Sequence, residues 1–217
     1  MAAERAPAAS RAPGAWLAWV VGAATAYYLR FVGRTCRLSG PLTREQVILT
    51  HWHEFNMLAF LVAVKVRGDL QHASFSTQGF RGDVINAQFR YSGAPVRVLP
   101  LPGERDRAAG AAFARRLSRL ADEGFSIIVT PDGPFGPAHV AKPGALIVAR
   151  QSGLPIVPWA FRLRPAIRLT GRWDRQLLPL PFSRIRIITG EPVHIAPREP
   201  LKPRLAELQA ALEAISS

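Results

Sequence analysis

The chain has 217 residues, 48% of them hydrophobic and 20% charged, enough for one domain of ordinary size with a real core. Its net charge is +13, and the lysines are confined to Lys65, Lys142 and Lys202. The excess is therefore arginine, whose guanidinium binds phosphate and carboxylate bidentately and favours an anionic partner such as lipid headgroups or nucleic acid, although a GC-rich genome supplies surface arginines equally well. A single Cys36 excludes an internal disulfide and a multi-cysteine zinc site.

Taken in order, residues Met1–Pro13 are Ala/Pro/Arg-rich and are expected to be disordered. No residue from Ala12 to Leu29 is charged, and Trp16, Trp19, Tyr27 and Tyr28 lie in this stretch. It only just reaches the ~18 residues needed to span a bilayer. With aromatics near both ends and Arg30, Arg34 and Arg37 after it, residues 14–34 read as a membrane-associated helix. A helix buried on the domain ranks second. A signal peptide cut near Ala24-Thr25-Ala26 ranks third, because the apolar pattern continues to Val32. Residues 35–217 are expected to form the α/β domain.

The apolar run Val47–Thr50 reads as a buried strand ending in His51-Trp52-His53-Glu54, with a helix over Phe55–Val66 behind it. His51 and His53 share a face if the strand continues through them and diverge if it turns at Trp52. A strand follows over Leu70–Ser76, then a turn over Thr77–Asp83, a helix over Val84–Ser92 capped by Gly93, and a strand over Pro95–Leu99. The helix Arg105–Glu123 has the stripe Ala109, Phe113, Leu117 and Leu120. After it come the strand Phe125–Val129, the loop Thr130–Pro143, the helix Gly144–Ser152 and the strand Leu154–Phe161. Arg184–Gly190 reads as a further strand, and an amphipathic helix on Leu201, Leu205, Leu208, Leu212 and Ile215 closes the chain. Strands alternating with helices predict an α/β fold: a single domain whose mainly parallel, mixed-edge sheet is covered by helices on both faces. Ligands of such sheets bind at the carboxyl ends of the strands, where both His53 and Asp132 fall.

The blocks Trp52-His53, Gly79/Gly82/Asp83, Thr130-Pro-Asp132-Gly133-Pro134 with Lys142-Pro-Gly, and Gly153-Leu-Pro-Ile-Val-Pro158 occur in a fixed order. Trp173-Asp174, Pro181-Phe-Ser183 and Gly190-Glu-Pro192 follow them. Over Tyr28–Pro192 the pattern resembles the glycerolipid (lysophospholipid) acyltransferase superfamily, and is most similar to an incompletely characterised bacterial branch of it. The resemblance implies transfer of a fatty acyl group from a thioester to a hydroxyl of a lysophospholipid or related membrane lipid. The donor is acyl-CoA or acyl carrier protein, a co-substrate, with no other cofactor and no metal. It implies His53 as general base with Asp132 or Asp83 as its acid, and His51 in reserve. Trp52, Glu54, Ser76, Gly79, Arg81, Gly82, Gly133, Pro134, Phe135, Gly136 and Lys142 would contact substrate. It further implies an anionic membrane surface as partner, at the cytoplasmic face of the bacterial inner membrane.

Two departures stand out. The superfamily places Asp after His and four residues, but this chain has Leu58 counting from His53 and Asn56 counting from His51. The acid is then expected from Glu54, Asp83 or Asp132. Phe135 stands where the superfamily commonly has Arg, leaving Arg81 or Lys142 to meet an acceptor phosphate. Structural readings compete throughout: a hydrogen-bonded strand-end histidine for His53 and, more strongly, for His51; a helix N-terminal carboxylate for Asp83; packing for Trp173; a solvated patch for the arginines between Arg162 and Arg175. A catalytically inactive lipid-binding relative is the main alternative function. A metal-dependent hydrolase on His51-X-His53 and Asp132 lacks a well-spaced third histidine, and a nucleic-acid binder lacks a recognition motif.

Overall fold

A computed structural model describes residues 14–65, 71–102 and 107–216, so the disorder expected over residues 1–13 lies outside it. The apolar N-terminal stretch forms α1 (Ala15–Thr35), followed by the short strands β1 (Arg37–Ser39) and β2 (Ile48–Thr50). All three residues of β2 are buried, as a strand covered on both faces requires. The chain then alternates through α2 (Asn56–Lys65), β3 (His72–Ser76), α3 (Phe80–Ser92), β4 (Val96–Pro100), α4 (Arg107–Asp122), β5 (Ser126–Val129), α5 (Gly144–Ser152) and β6 (Ile156–Arg168). It ends with β7 (Leu177–Thr189) and α6 (Leu201–Ser216).

One sheet holds the strands in the order β1-β7-β6-β2-β5-β3-β4. From β6 to β4 every neighbouring pair is parallel, β7 returns antiparallel to β6, and β1 runs parallel to β7. The α/β fold with a mainly parallel sheet and a mixed edge is therefore the one the chain adopts. The connection after β2 runs toward β3, while the connection after β5 runs the other way, to β6. Right-handed crossovers in opposite directions put α2 and α5 on opposite faces, with α1 and α3 beside the former and α4 and α6 beside the latter. A crevice follows between the carboxyl ends of β2 and β5.

Two elements differ from expectation. α3 begins at Phe80 rather than near Val84, so Arg81, Gly82 and Asp83 lie in its first turn instead of in a loop. Gly82 permits this, because a Cβ there would strike the Thr77 carbonyl. The expected strands Leu154–Phe161 and Arg184–Gly190 are parts of two longer strands, β6 and β7, of 13 residues each.

α1 is part of the core. Ala26, Leu29 and Val32 are buried in one cluster with Leu58, Leu61, Ile185 and Ile187. Gly22 lies so close to α3 that a Cβ would meet the Val84 carbonyl and the Ala87 side chain. Along the opposite side of the helix, Trp16 is 70% exposed, Val20 56%, Tyr27 57% and Phe31 51%. α1 is long and apolar enough to cross a membrane by length and composition; one face of it is packed and the other is apolar and uncovered.

Candidate active site

Two neighbouring strand ends build the site. β2 and β5 run parallel with Thr50 opposite Val129, and three residues beyond that rung on each strand stand His53 and Asp132. The His53 Nδ1–H donates to Asp132 Oδ1 at 2.7 Å, and the His53 backbone N–H reaches both carboxylate oxygens at 3.3 Å. An ionised carboxylate only accepts, so it holds the proton on Nδ1 and leaves Nε2 as the basic nitrogen. Nε2 lies 3.4 Å from Thr130 Oγ1. The Asp132 side chain is 1% exposed and that of His53 14%, which screens the pair from water while leaving the imidazole an opening.

Local structure explains the arrangement. β2 stops at Thr50, Trp52 is extended with φ −66° and ψ 151°, and His53 opens a single 3-10 turn that runs into α2. Trp52 and Phe55 are buried by this turn. His51 and His53 thus do not share a strand face, which removes the geometry assumed for a His51-X-His53 metal pair. Among the described residues no three His, Cys, Asp or Glu side chains form a group that could hold a metal ion. His51 is 2% exposed and its ring packs against Phe161. Burial pushes its pKa down to about 4, the neighbouring His53 adds to the shift, and Asp132 opposes it.

The Asp132 loop is closed by its own backbone: Gly133 N–H donates to the Thr130 carbonyl and Lys142 N–H to that of Pro131. Gly133, at φ 68°, lies under the Lys142 side chain, and Gly136, at φ 73°, lies under the Trp173 ring, so larger residues would push both aside.

A cavity of about 500 Å³ opens beside His53. Its lining includes the polar residues Asn56, Ser76, Arg81 and Thr130 and the apolar residues Val21, Phe60, Val84 and Phe89. The hairpin end between β6 and β7 closes one side. There Trp173 packs on the His53 ring with centroids 5.1 Å apart, and buried Asp174 holds Arg172 through two bonds of 2.9 Å.

Of the residues singled out in the sequence, His51, Ser76, Arg81 and Pro134 line this cavity with His53, His51 while only 2% exposed, and Asp132 stands behind the His53 imidazole. Trp52, Gly79, Gly82, Gly133, Phe135, Gly136 and Lys142 do not line it, and the Phe135 side chain is 60% exposed. Glu54 faces away from His53, pairing with Arg168 at 2.7 Å and with His139 at 3.0 Å. Asp83 sits in the first turn of α3, outside the cavity lining. Asp132 is thus the carboxylate bonded to His53, and the two alternatives weighed with it are not. Trp173, read from sequence as a packing residue, is a wall of the site; Asn56, Thr130 and Arg172 were not singled out as site residues at all.

No family model matches the chain, and no solved structure matches it. A known protein similar to it is the uncharacterized protein RP090 of Rickettsia prowazekii (strain Madrid E), 30% identical over 177 residues, covering 77% of this chain and 77% of the relative. That identity, held over three quarters of both sequences, means that the chain belongs to the family of this Rickettsia protein.

Proposed function

We propose that the protein is an acyltransferase of the glycerolipid acyltransferase type. It moves a fatty acyl group from an acyl thioester to a hydroxyl of a lysophospholipid or related membrane lipid. The observation that carries this reading is the His53 Nδ1–Asp132 bond of 2.7 Å beside a cavity lined by both polar and apolar side chains. The acceptor hydroxyl gives its proton to His53 Nε2 as its oxygen attacks the thioester carbonyl carbon. The tetrahedral intermediate then collapses, the C–S bond breaks, and the leaving thiolate takes the proton back from Nε2. Asp132 stays ionised, orienting the ring and stabilising the transient imidazolium. The apolar part of the lining, which includes Phe60, Val84 and Phe89, suits an acyl chain. We place the enzyme at the cytoplasmic face of a bacterial inner membrane, held there by the uncovered side of α1.

The test is transfer from acyl-CoA or acyl carrier protein to a panel of lysophospholipids. His53→Ala should abolish turnover with the fold intact by circular dichroism. Asp132→Asn should lower kcat by about 10²–10⁴-fold with little change in KM. Wild-type protein that transfers from neither donor to any lysophospholipid overturns the proposal. The exposed Phe135, where a cation would meet an acceptor phosphate, favours a second reading, an inactive lipid-binding relative. In that case the lipids bind and none is acylated.

A further inference from the structure

The arm formed by the distal part of β6 and its partner in β7 carries a charge pattern for which the proposed chemistry has no use. Register sets Arg164 opposite Arg184 and Arg162 opposite Arg186. On the other side of β7, β1 puts Arg37 beside Arg184. Cross-strand partners project from the same face of a sheet. Ile185 and Ile187 point to the other face and are buried. Arg37, Arg184 and Arg164 therefore form one row and Arg186 and Arg162 the next, and all five are exposed. Farther along the same arm, Arg168 and Arg172 are paired with Glu54 and Asp174. Among the described residues Arg37, Arg164, Arg184 and Arg186 have no such carboxylate. Like charges set directly opposite repel, so this array is suited to anions brought from outside.

We propose that the two-row arginine face docks an acidic protein surface. Under the acyl-transfer reading, on which the partner's identity rests, this is the small protein that carries the acyl group as a thioester. Three features favour that occupant. α1 and α2 pack against β7 on the isoleucine side, so a bilayer lying on the outer face of α1 leaves the arginines turned away from it. Cross-strand neighbours stand about 5 Å apart, which matches carboxylates one turn apart on a helix, about 5–6 Å. No aromatic residue stands in the rows to stack a base, as single-stranded nucleic acid would want. The position is also suitable. β2 ends level with Pro158, and the rows lie four and six residues farther along β6, about 13–20 Å beyond at ~3.3 Å per residue. That is the end of the sheet at which His53 stands.

The experiment compares full-length wild type with Arg184→Glu/Arg186→Glu and with Arg184→Lys/Arg186→Lys. Binding of palmitoylated acyl carrier protein is measured by anisotropy at low and high salt, alongside flotation with phosphatidylglycerol vesicles and binding of a single-stranded RNA. Charge reversal should weaken carrier binding by about tenfold or more and the lysine pair should restore most of it, while vesicle binding and palmitoyl-CoA-supported transfer stay at wild-type level. Carrier binding that is unaffected by reversal, or reversal that instead abolishes vesicle or RNA binding, overturns the assignment. The anisotropy readout needs no turnover. Failure of acyl transfer by wild type and failure of this docking face are therefore separate results.

Discussion

At the scale of single residues, His51 and His53 show how two imidazoles two positions apart acquire different properties. His53 has a carboxylate at 2.7 Å and an opening to the cavity. His51, only 2% exposed where it meets the cavity, packs on Phe161, and among the described residues neither of its ring nitrogens has a hydrogen-bond partner. With a folded pKa near 4 against an unfolded 6.5, the unfolded chain binds the extra proton first as the solution is acidified. The stabilisation linked to neutral His51 is therefore complete above about pH 6.5 and is lost as pH falls through about 4. The shift corresponds to about 3 kcal/mol at full loss. Urea denaturation between these pH values should show a falling midpoint for wild type and a flatter acid limb for His51→Leu. Superimposable limbs would acquit His51. His53 was legible as a candidate site residue because a short apolar run ends just before it. The isolation of His51 was not legible, since it depends on Phe161, over a hundred residues away in sequence.

At the scale of elements, the pairing of β2 with β5 carries the site, and the packing of α1 on α3 carries one wall of the cavity through Val21. Gly22 allows that close approach. Replacing it with Leu should separate the two helices and cost about 1–3 kcal/mol, measured by chemical denaturation. Unchanged stability would mean that α1 does not pack as described. Elements with strong periodicity or clear stops, such as α4 with Leu117 and Leu120 or α5 ending at Gly153, were readable from sequence because local physics decides them. The start of α3 was not, because Gly82 looks like a turn residue until the Thr77 carbonyl beneath it is seen. Nor was the place of Trp173, which the length of β6 and β7 decides by carrying the hairpin end back over His53. The ion pairs of Glu54 were not legible for a similar reason: its partners Arg168 and His139 come from two other segments.

For the whole molecule, α1 is apolar on both sides, one used by the core and the other uncovered. A helix packed along its length against α2, α3 and β7 has one side for lipid, which suits lying in the interface rather than crossing it. Full-length protein should float with anionic vesicles. Val20→Ser/Tyr27→Ser/Phe31→Ser should lose most of that binding while keeping the wild-type denaturation midpoint, because those side chains are outside the core. Retention of the triple variant on vesicles would place the membrane contact elsewhere.

The shared rung of Thr50 and Val129 has a consequence for how the His53–Asp132 pair can be inherited. The two halves of the pair lie in separate stretches of sequence, and each stands an equal count of steps beyond a common landmark on its own strand. A neighbouring substitution that keeps both counts keeps the pair where the new side chain fits, as it does not at Gly133, whereas loss or gain of one residue in either count would separate His53 from Asp132 and leave the sheet standing. Length between landmark and side chain, more than local spelling, is what a descendant of this protein has to preserve.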